Sequence, residues 1–259
     1  MIKLSKRLEA LSRLCTAGSV AADVGCDHGY LSIRLVQEGI FERMLAMDLR
    51  EGPLAAAKAH VAEAGLADRI ECRLSDGLRA MRLGEADSMI CAGMGGPLMQ
   101  RILEQDIDKV RGMRQLVLQP QSDIAQFRRW LRENGFVIIA EDIVFEDGKY
   151  YPMMKAVPEN KGMTDSNDHG GCEDAVHRET VADFRVTVAD PELSDAFGPY
   201  LLAQRHPVLL EYLKQRNGFV SEALKQLEQA QRTGSDERRA QRMAELQYEQ
   251  ELIKKARVF

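Results

Sequence analysis

The chain has 259 residues, of which 45% are hydrophobic and 29% are charged, and its formal net charge is −5. These values are ordinary for a soluble globular protein, and no apolar run approaches the roughly 20 residues that span a membrane. The N-terminal stretch MIKLSKRLEALSRL lacks the apolar core of a signal peptide and predicts an amphipathic helix. The five cysteines show no metal-type spacing. We therefore expect a reduced, cytoplasmic protein without a membrane span or a metal site.

The charge is unevenly distributed along the chain. Acidic residues are concentrated at 158–199, whereas 200–259 is net positive. The first helix also carries more basic than acidic residues. Both chain ends are therefore candidate phosphate-facing surfaces, and solvated helix faces are the alternative explanation.

Short apolar strands alternate with helical patterns from residue 19 to about residue 157. The strands are SVAADVG, RMLAMD, RIECRLSD, ADSMICAGMGG and QLVLQPQ, and the helices include YLSIRLVQEG, GPLAAAKAHVAEAGL, PLMQRILEQ and IAQFRRWLRENG. This alternation predicts an α/β fold with a mostly parallel, doubly wound sheet. We expect Phe127 and Trp130 of the last of these helices to lie in the core. FVIIAEDIVFEDGKYYPMMKAVP then predicts two strands around an Asp-Gly turn, which would add an antiparallel edge strand.

The pattern changes after Pro158. Residues 159–185 are polar and acidic, which is typical of a linker or insertion. Residues 186–259 are strongly helical, with a break at TGSD, and predict two long helices folded back as a hairpin. We therefore expect an α/β domain at 1–158, an acidic linker at 159–185 and a C-terminal α-helical hairpin domain at 186–259.

The loops after the first four strands carry the candidate functional residues, because ligands of open parallel sheets bind beyond the carboxyl ends of the strands. The first loop, within ADVGCDHGYL, lacks the three glycines of a dinucleotide-binding loop. Three of these four strand ends carry an acid. In chain order, the candidates are Asp23, Gly25, Asp27, His28 and Gly29; Asp48; Ser75, Asp76 and Gly77; and Gly93, Met94, Gly95 and Gly96.

This set of acids favours S-adenosylmethionine over a dinucleotide, whose pyrophosphate the carboxylates would repel. Gly25 allows close approach of the backbone to a ligand. Asp48 can accept hydrogen bonds from both ribose hydroxyls, and Asp76 can accept one from the adenine amine. Asp23 or Asp27 can pair with the amino group of the methionine moiety. We expect a methyltransferase, with an NAD-dependent oxidoreductase as the alternative.

The segments SKRLEAL, ADVGCDHGYLSI, DGL, AGMGG, LVLQPQ and FGPYLL resemble, in this order, the TrmK family of bacterial tRNA adenine N1-methyltransferases. The family methylates adenosine 22 of tRNA, so the resemblance implies a Rossmann-like class I methyltransferase domain and a helical domain that helps to hold tRNA. It implies cofactor contacts at Asp23, Gly25, Asp27, His28, Gly29, Asp48, Asp76 and Gly77. We add their neighbours Cys26, Tyr30, Leu49, Ser75 and Gly93. The chain departs from the family pattern at Cys26, where serine is common, and at Gln121, where asparagine is expected.

The sequence AGMGG after the fourth strand bears on the reaction. Enzymes that methylate the exocyclic amine of adenine usually place an Asn/Asp-Pro-Pro-aromatic motif there, whereas adenine N1 already has a free lone pair. We expect Gly93, Met94, Gly95 and Gly96 to position the target base, a tight turn being the alternative. His28 is a cofactor contact or a general base.

We expect a monomer that acts on tRNA. The alternatives are a methyltransferase for another RNA or a small molecule, and a non-catalytic RNA-binding protein.

Overall fold

The computed structural model describes residues 2–159, 190–229 and 236–259. The chain divides into two compact units, Met1–Arg185 and Val186–Phe259. Apart from Glu159, the expected acidic linker lies outside the described residues, and its boundaries stay a prediction. None of the helices in the described ranges is long and apolar enough to cross a membrane.

The first unit is built on a seven-stranded sheet with the strand order β3-β2-β1-β4-β5-β7-β6. The strands are β1 (Gly18–Val24), β2 (Phe41–Asp48), β3 (Ile70–Leu74), β4 (Ser88–Met94), β5 (Gln115–Pro120), β6 (Phe136–Glu146) and β7 (Lys149–Pro158). Strands β1 to β5 pair in parallel. The predicted doubly wound sheet is therefore confirmed.

The C-terminal hairpin of this sheet differs from the expectation in its order. Strand β7 is antiparallel to both of its neighbours, β5 and β6, so the antiparallel strand lies inside the sheet and β6 forms the edge. The burial of the two strands explains this order. Six of the ten residues of β7 are buried, whereas β6 is mostly half-exposed, as suits an edge.

Within residues 2–159, the helices that accompany the strands are α1 (Lys6–Leu14), α2 (Tyr30–Gln37), α3 (Glu51–Glu63), α4 (Gly96–Gln105), α5 (Ile107–Arg111) and α6 (Ile124–Glu133). Successive strand residues point to opposite faces, so Met89 and Ile90 belong to separate cores. The core that contains Ile90 includes Ile33 of α2. The core that contains Met89 includes Phe127 of α6, with Trp130 packed against it. The expected core positions of Phe127 and Trp130 are confirmed.

The second unit is helical and consists of α7 (Pro191–Phe197), α8 (Pro199–Ala203), α9 (Pro207–Gln229) and α10 (Asp236–Val258). The long helices α9 and α10 run antiparallel, because Arg216 in the first half of α9 pairs with Glu249 in the second half of α10. Arg239, near the start of α10, donates to carbonyl oxygens at the end of α9. Their shared core includes the buried side chains of Leu213, Val220, Leu246 and Ile253. The predicted hairpin is thus confirmed, although most of its TGSD connection lies outside the described residues.

The strand order also locates the ligand-binding edge of the first unit. Strands β2 and β3 lie on one side of β1 within the sheet, and β4 and β5 lie on its other side. The order therefore reverses at β1, and the loops after β1 and β4 diverge there. Such a switch point leaves a crevice at the carboxyl ends of the strands.

Candidate active site

A cavity of about 490 Å³ opens at the carboxyl ends of β1 to β5. Its size lies within the usual range for small-molecule sites. Most of the residues that the sequence predicted for a functional site meet here. Those that line the cavity are Asp23, Gly25, Cys26, Asp27, His28, Tyr30, Asp48, Leu49, Ser75, Asp76, Gly77, Gly93 and Met94.

Three predicted glycines do not line the cavity. A Cβ at Gly29 would lie 3.1 Å from Cβ of Ala57, so this glycine packs against α3. A Cβ at Gly96 would lie 2.5 Å from the carbonyl oxygen of Ser122, and one at Gly95 would lie 3.0 Å from the Ser122 hydroxyl. Gly95 and Gly96 thus allow the β4–α4 turn to pack against the segment after β5. Their part in positioning a target base stays a prediction.

The loop after β1 turns sharply beneath the cavity. Gly25 has φ +76°, a conformation that favours glycine, and a Cβ there would collide with Cε of Met94. The backbone N–H groups of Gly25 and Cys26 both donate to the carbonyl oxygen of Met47, at 2.8 and 3.0 Å. These bonds fasten the loop to β2. Gly25 lines the cavity, and the methyl group of Met94 lies beside it.

Asp48 is fixed by two backbone donors at the end of β2. Its Oδ2 accepts from the N–H of Asp27 at 3.2 Å, and its Oδ1 accepts from the N–H of Arg50 at 2.9 Å. The residue is only 5% exposed. Each carboxylate oxygen can accept more than one hydrogen bond, so both remain able to accept from a ligand. A vicinal diol matches this pair of oriented acceptors.

Asp23 lies near the end of β1 and is almost fully buried. Its Oδ2 accepts a 2.6 Å hydrogen bond from the Ser32 hydroxyl. Burial raises the pKa of Asp23 from 3.8 to about 6, the Ser32 bond opposes that shift, and the charge of Asp48 adds to it. A buried carboxylate of this kind binds a cationic group favourably, because the cation compensates the charge that burial disfavours.

The end of β3 supplies a more exposed acid. The side chain of Asp76 is about half exposed and lies 3.5 Å from Nη1 of Arg79. The turn around it is held by Ser75, whose hydroxyl donates to the carbonyl oxygen of Gly77 at 2.8 Å and accepts from the N–H of Ala80 at 3.1 Å. Ser75 thus shapes the turn that presents Asp76 to the cavity.

Three rings are stacked at one rim of the cavity. The rings of Tyr30 and His60 lie 4.7 Å apart and nearly parallel, and those of His28 and Tyr30 lie 5.7 Å apart. Nδ1 of His60 lies 2.9 Å from the carbonyl oxygen of His28, and its Nε2 lies 3.4 Å from the Tyr30 hydroxyl. His60 therefore holds the loop that follows Gly25. Sequence reasoning missed it, because it lies inside helix α3 without any motif.

The opposite end of the cavity, beyond β4 and β5, contains two polar residues that sequence reasoning did not assign to the site. Arg7 of α1 donates from Nη1 to Oε1 of the buried Gln119 at 2.9 Å, and its guanidinium lies 5.5 Å from the ring centre of Tyr151. Gln121 follows β5, and its N–H donates to the carbonyl oxygen of Met94 at 2.8 Å. Both residues line the cavity. Two signals were present in the sequence: the basic first helix, and glutamine where the TrmK family has asparagine.

The acidic side chains that line the cavity fit S-adenosylmethionine. The acids at the ends of β1, β2 and β3 offer acceptors for an ammonium group, a ribose diol and an adenine amine, in that spatial order along the sheet. The exposed Leu49 provides apolar surface beside Asp48. These carboxylates would repel a pyrophosphate, which argues against a dinucleotide.

Comparison with known proteins agrees with this chemistry. Residues 4–154 match the family model described as a methyltransferase domain. The Bacillus subtilis tRNA (adenine(22)-N(1))-methyltransferase is 32% identical over 98% of this chain and 96% of its own length. The chain belongs to this family. A Mycoplasma pneumoniae relative, described only as a tRNA methyltransferase, shares 32% identity over 62% of this chain.

Solved structures of family members have the same fold along nearly the whole chain. The crystal structure of B. subtilis TrmK covers 99% of this chain and 100% of its own, with a TM-score of 0.78 and 31% identity. A Streptococcus pneumoniae protein in complex with S-adenosyl-L-methionine covers 98% of this chain and 100% of its own, with a TM-score of 0.76 and 27% identity. The TrmK resemblance seen in the sequence motifs is thus confirmed.

Proposed function

We propose that this protein is an S-adenosylmethionine-dependent methyltransferase that modifies N1 of adenosine 22 in tRNA. The observation that carries the proposal is the 32% identity to the B. subtilis tRNA (adenine(22)-N(1))-methyltransferase over 98% of the chain. The acid-lined cavity supports it independently, because its acceptors match this cofactor. We also propose that the protein is a monomer and that it acts in the cytoplasm, where tRNA is modified.

The cofactor-binding roles follow from the positions of the acids. Asp48 would hold the ribose hydroxyls, because its two oxygens are already oriented by backbone donors. Asp23 would compensate the cationic amino group from its buried position, and Asp76 would accept from the adenine amine. His28 and Tyr30 would close the rim over the cofactor.

S-adenosylmethionine, when bound, supplies a methyl group that is activated by a positively charged sulfur. Adenine N1 has an available lone pair, so no side chain has to remove a proton from it before the transfer. The protein's own contribution is to orient the base and to exclude water. Gly93 and Met94 line the cavity at the end of β4, where a target base would meet the cofactor.

The charge of the chain supports an RNA substrate. Exposed basic residues recur on α9 and α10, including Lys214, Lys225, Arg238, Lys254 and Arg257. We propose that the second unit contributes to tRNA binding through such contacts with phosphates, which would make binding weaker at high salt. Because N1 lies on the Watson–Crick edge, the target adenine must be unpaired on that edge when it enters the site.

Incubation with labelled cofactor and unmodified bacterial tRNA, followed by digestion to nucleosides, tests the proposal. The expected product is 1-methyladenosine. If the label is found in another nucleoside, another methylation site is assigned. If no labelled nucleoside is formed although the protein binds the cofactor, the tRNA substrate is refuted and a small-molecule substrate is favoured.

A further inference from the structure

The two ends of the cavity differ in chemistry. The four carboxylates that line it, Asp23, Asp27, Asp48 and Asp76, belong to the ends of β1, β2 and β3. Among the described residues, no carboxylate lines the end beyond β4 and β5. The polar side chains at that end are the cation of Arg7 and the neutral amide of Gln121. Because the carboxylates proposed to bind the cofactor lie at the ends of β1, β2 and β3, the β4–β5 end of the cavity is available to the second substrate.

Gly93 leaves an open patch of backbone between these two side chains. It is exposed, with φ +81°, and a Cβ there would lie 3.5 Å from Nη1 of Arg7 and 3.8 Å from Nε2 of Gln121. The end of β4 has no side-chain amide like that of the Asn/Asp-Pro-Pro-aromatic motif. Here the amide beside Gly93 is that of Gln121, at the end of β5. A planar base resting on Gly93 would meet the Gln121 amide at its edge.

The surroundings of the two side chains separate their roles. The guanidinium of Arg7 is engaged by Gln119 and Tyr151. The backbone of Gln121 is anchored to Met94, whereas its side-chain amide makes no hydrogen bond to another described residue and borders the cavity. Gln121 therefore offers one acceptor and one donor side, on a backbone that is fixed in place.

We infer that Gln121 reads the Hoogsteen edge of the target adenine, with Oε1 accepting from the N6 amino group and Nε2 donating to N7. This inference rests on the proposed function. A glutamine amide matches the N6 and N7 groups of adenine in this bidentate way. It leaves N1 on the neighbouring edge free to face the methyl group. Guanine presents two acceptors, N7 and O6, on the same edge and is disfavoured by Oε1.

The charge that develops during the reaction makes this contact stronger in the transition state. As the bond from N1 to the methyl carbon forms and the bond from that carbon to sulfur breaks, the positive charge passes to the adenine. The N6 amino group then becomes a better donor to Oε1. A neutral amide strengthens its bond without repelling the new cation, so Gln121 contributes to the rate as well as to base selection.

The test compares Gln121→Ala with Gln105→Ala, an exposed glutamine of α4 that does not line the cavity. Each protein is assayed on tRNA with adenosine or 7-deazaadenosine, which lacks the N7 acceptor, at the target position. We expect Gln121→Ala to lower kcat/KM on the adenosine substrate about 10- to 100-fold, and Gln105→Ala to leave it unchanged. Replacing adenosine by 7-deazaadenosine should lower kcat/KM about tenfold for the wild-type protein and less than twofold for Gln121→Ala.

The outcomes separate this inference from the function on which it rests. If the wild-type protein does not methylate adenosine in tRNA, the proposed function fails. If it does, an equal 7-deaza penalty in wild type and Gln121→Ala, or no penalty in wild type, overturns the role of Gln121. Cofactor affinity is measured in parallel by calorimetry. It should be the same in both variants, and an equal loss of cofactor affinity and activity in Gln121→Ala would also overturn the role.

Discussion

Asp27 and Asp48 are joined by a hydrogen bond from the backbone N–H of Asp27 to Oδ2 of Asp48, 3.2 Å long. The bond ties the loop after β1 to the end of β2. The acid proposed to hold the ribose therefore also shapes the loop that is proposed to cover the methionine moiety. A change at position 48 is expected to affect both parts of the cofactor site.

Replacement of Asp48 should weaken cofactor binding more than its charge alone would suggest. We expect Asp48→Ala to raise the cofactor Kd about 30- to 100-fold, because it removes two ligand contacts and the loop anchor. Asp48→Asn keeps an oxygen acceptor and should raise the Kd only about tenfold. Isothermal calorimetry measures both, with the exposed Asp68→Ala as the control. An unchanged Kd in Asp48→Ala would refute the assignment.

The raised pKa of Asp23 predicts a pH-dependent cofactor affinity. The carboxyl has a pKa of about 6 in the folded protein, so it is ionised at pH 7.5 and increasingly protonated below pH 6. A cationic amino group binds to the ionised form only. We therefore expect affinity to fall by up to tenfold per pH unit below about pH 6. Calorimetry from pH 5 to 8 should show this pH dependence in the wild type. Asp23→Asn should bind the cofactor weakly, with an affinity that does not change with pH in this range. The same slope in Asp23→Asn would assign it to another group.

The same residue predicts an opposite effect on stability. Because the pKa of about 6 in the folded protein exceeds the ordinary value of 3.8, the folded state loses stability as pH rises from about 4 to above 6. Asp23→Asn should therefore stabilise the ligand-free protein by up to about 3 kcal/mol at pH 7, with little gain at pH 4. Urea unfolding at the two pH values measures the difference. A destabilised Asp23→Asn at pH 7 would show that the carboxylate is needed for folding.

Much of the first unit follows from local sequence patterns, and the exceptions have physical causes. Apolar runs identify β1 to β5, and the acids at the ends of β1, β2 and β3 identify the cofactor side of the cavity. The position of Arg7 depends on how α1 packs, since its contacts to Gln119 and Tyr151 join residues far apart in the chain. Similarly, β7 pairs with β5 because of its burial on both faces, which local alternation does not reveal.

Glycine positions show a second limit of sequence reasoning. Gly93 and Gly96 stand three positions apart in one motif, yet only Gly93 lines the cavity. Gly96 is buried because the segment at Ser122 lies against it, and that segment comes from the end of a different strand. The motif alone does not distinguish a glycine that admits a ligand from one that admits a neighbouring backbone.

Arg7 should act on the RNA rather than on the cofactor. Its guanidinium is the cation at the β4–β5 end, and we expect it to contact a phosphate beside the target nucleotide. Arg7→Ala should raise the KM for tRNA about tenfold and lower the slope of log Kd against log salt by about 1. Binding titrations at several salt concentrations measure this, with Arg101→Ala, exposed on α4, as the control. A slope equal to that of the wild type would exclude a phosphate contact.

His60 should act through the loop that it holds. In the tautomer with hydrogen on Nδ1, it donates to the carbonyl oxygen of His28 and accepts from the Tyr30 hydroxyl. We expect His60→Ala to raise the cofactor Kd about three- to tenfold, since a looser loop must be ordered on binding. Tyr30→Phe keeps the stacking, loses only the 3.4 Å contact and should have less than a threefold effect. A larger effect for Tyr30→Phe than for His60→Ala would contradict this arrangement.

The most direct measurement locates the methyl group within the RNA. Unmodified tRNA carrying adenosine at position 22, and the same tRNA with guanosine there, are incubated with protein and S-adenosylmethionine and then mapped by mass spectrometry of nuclease fragments. We predict one 1-methyladenosine, in the fragment that contains position 22, and no methylation of the guanosine variant. Methylation of both tRNAs, or of a fragment without position 22, would contradict the proposed function.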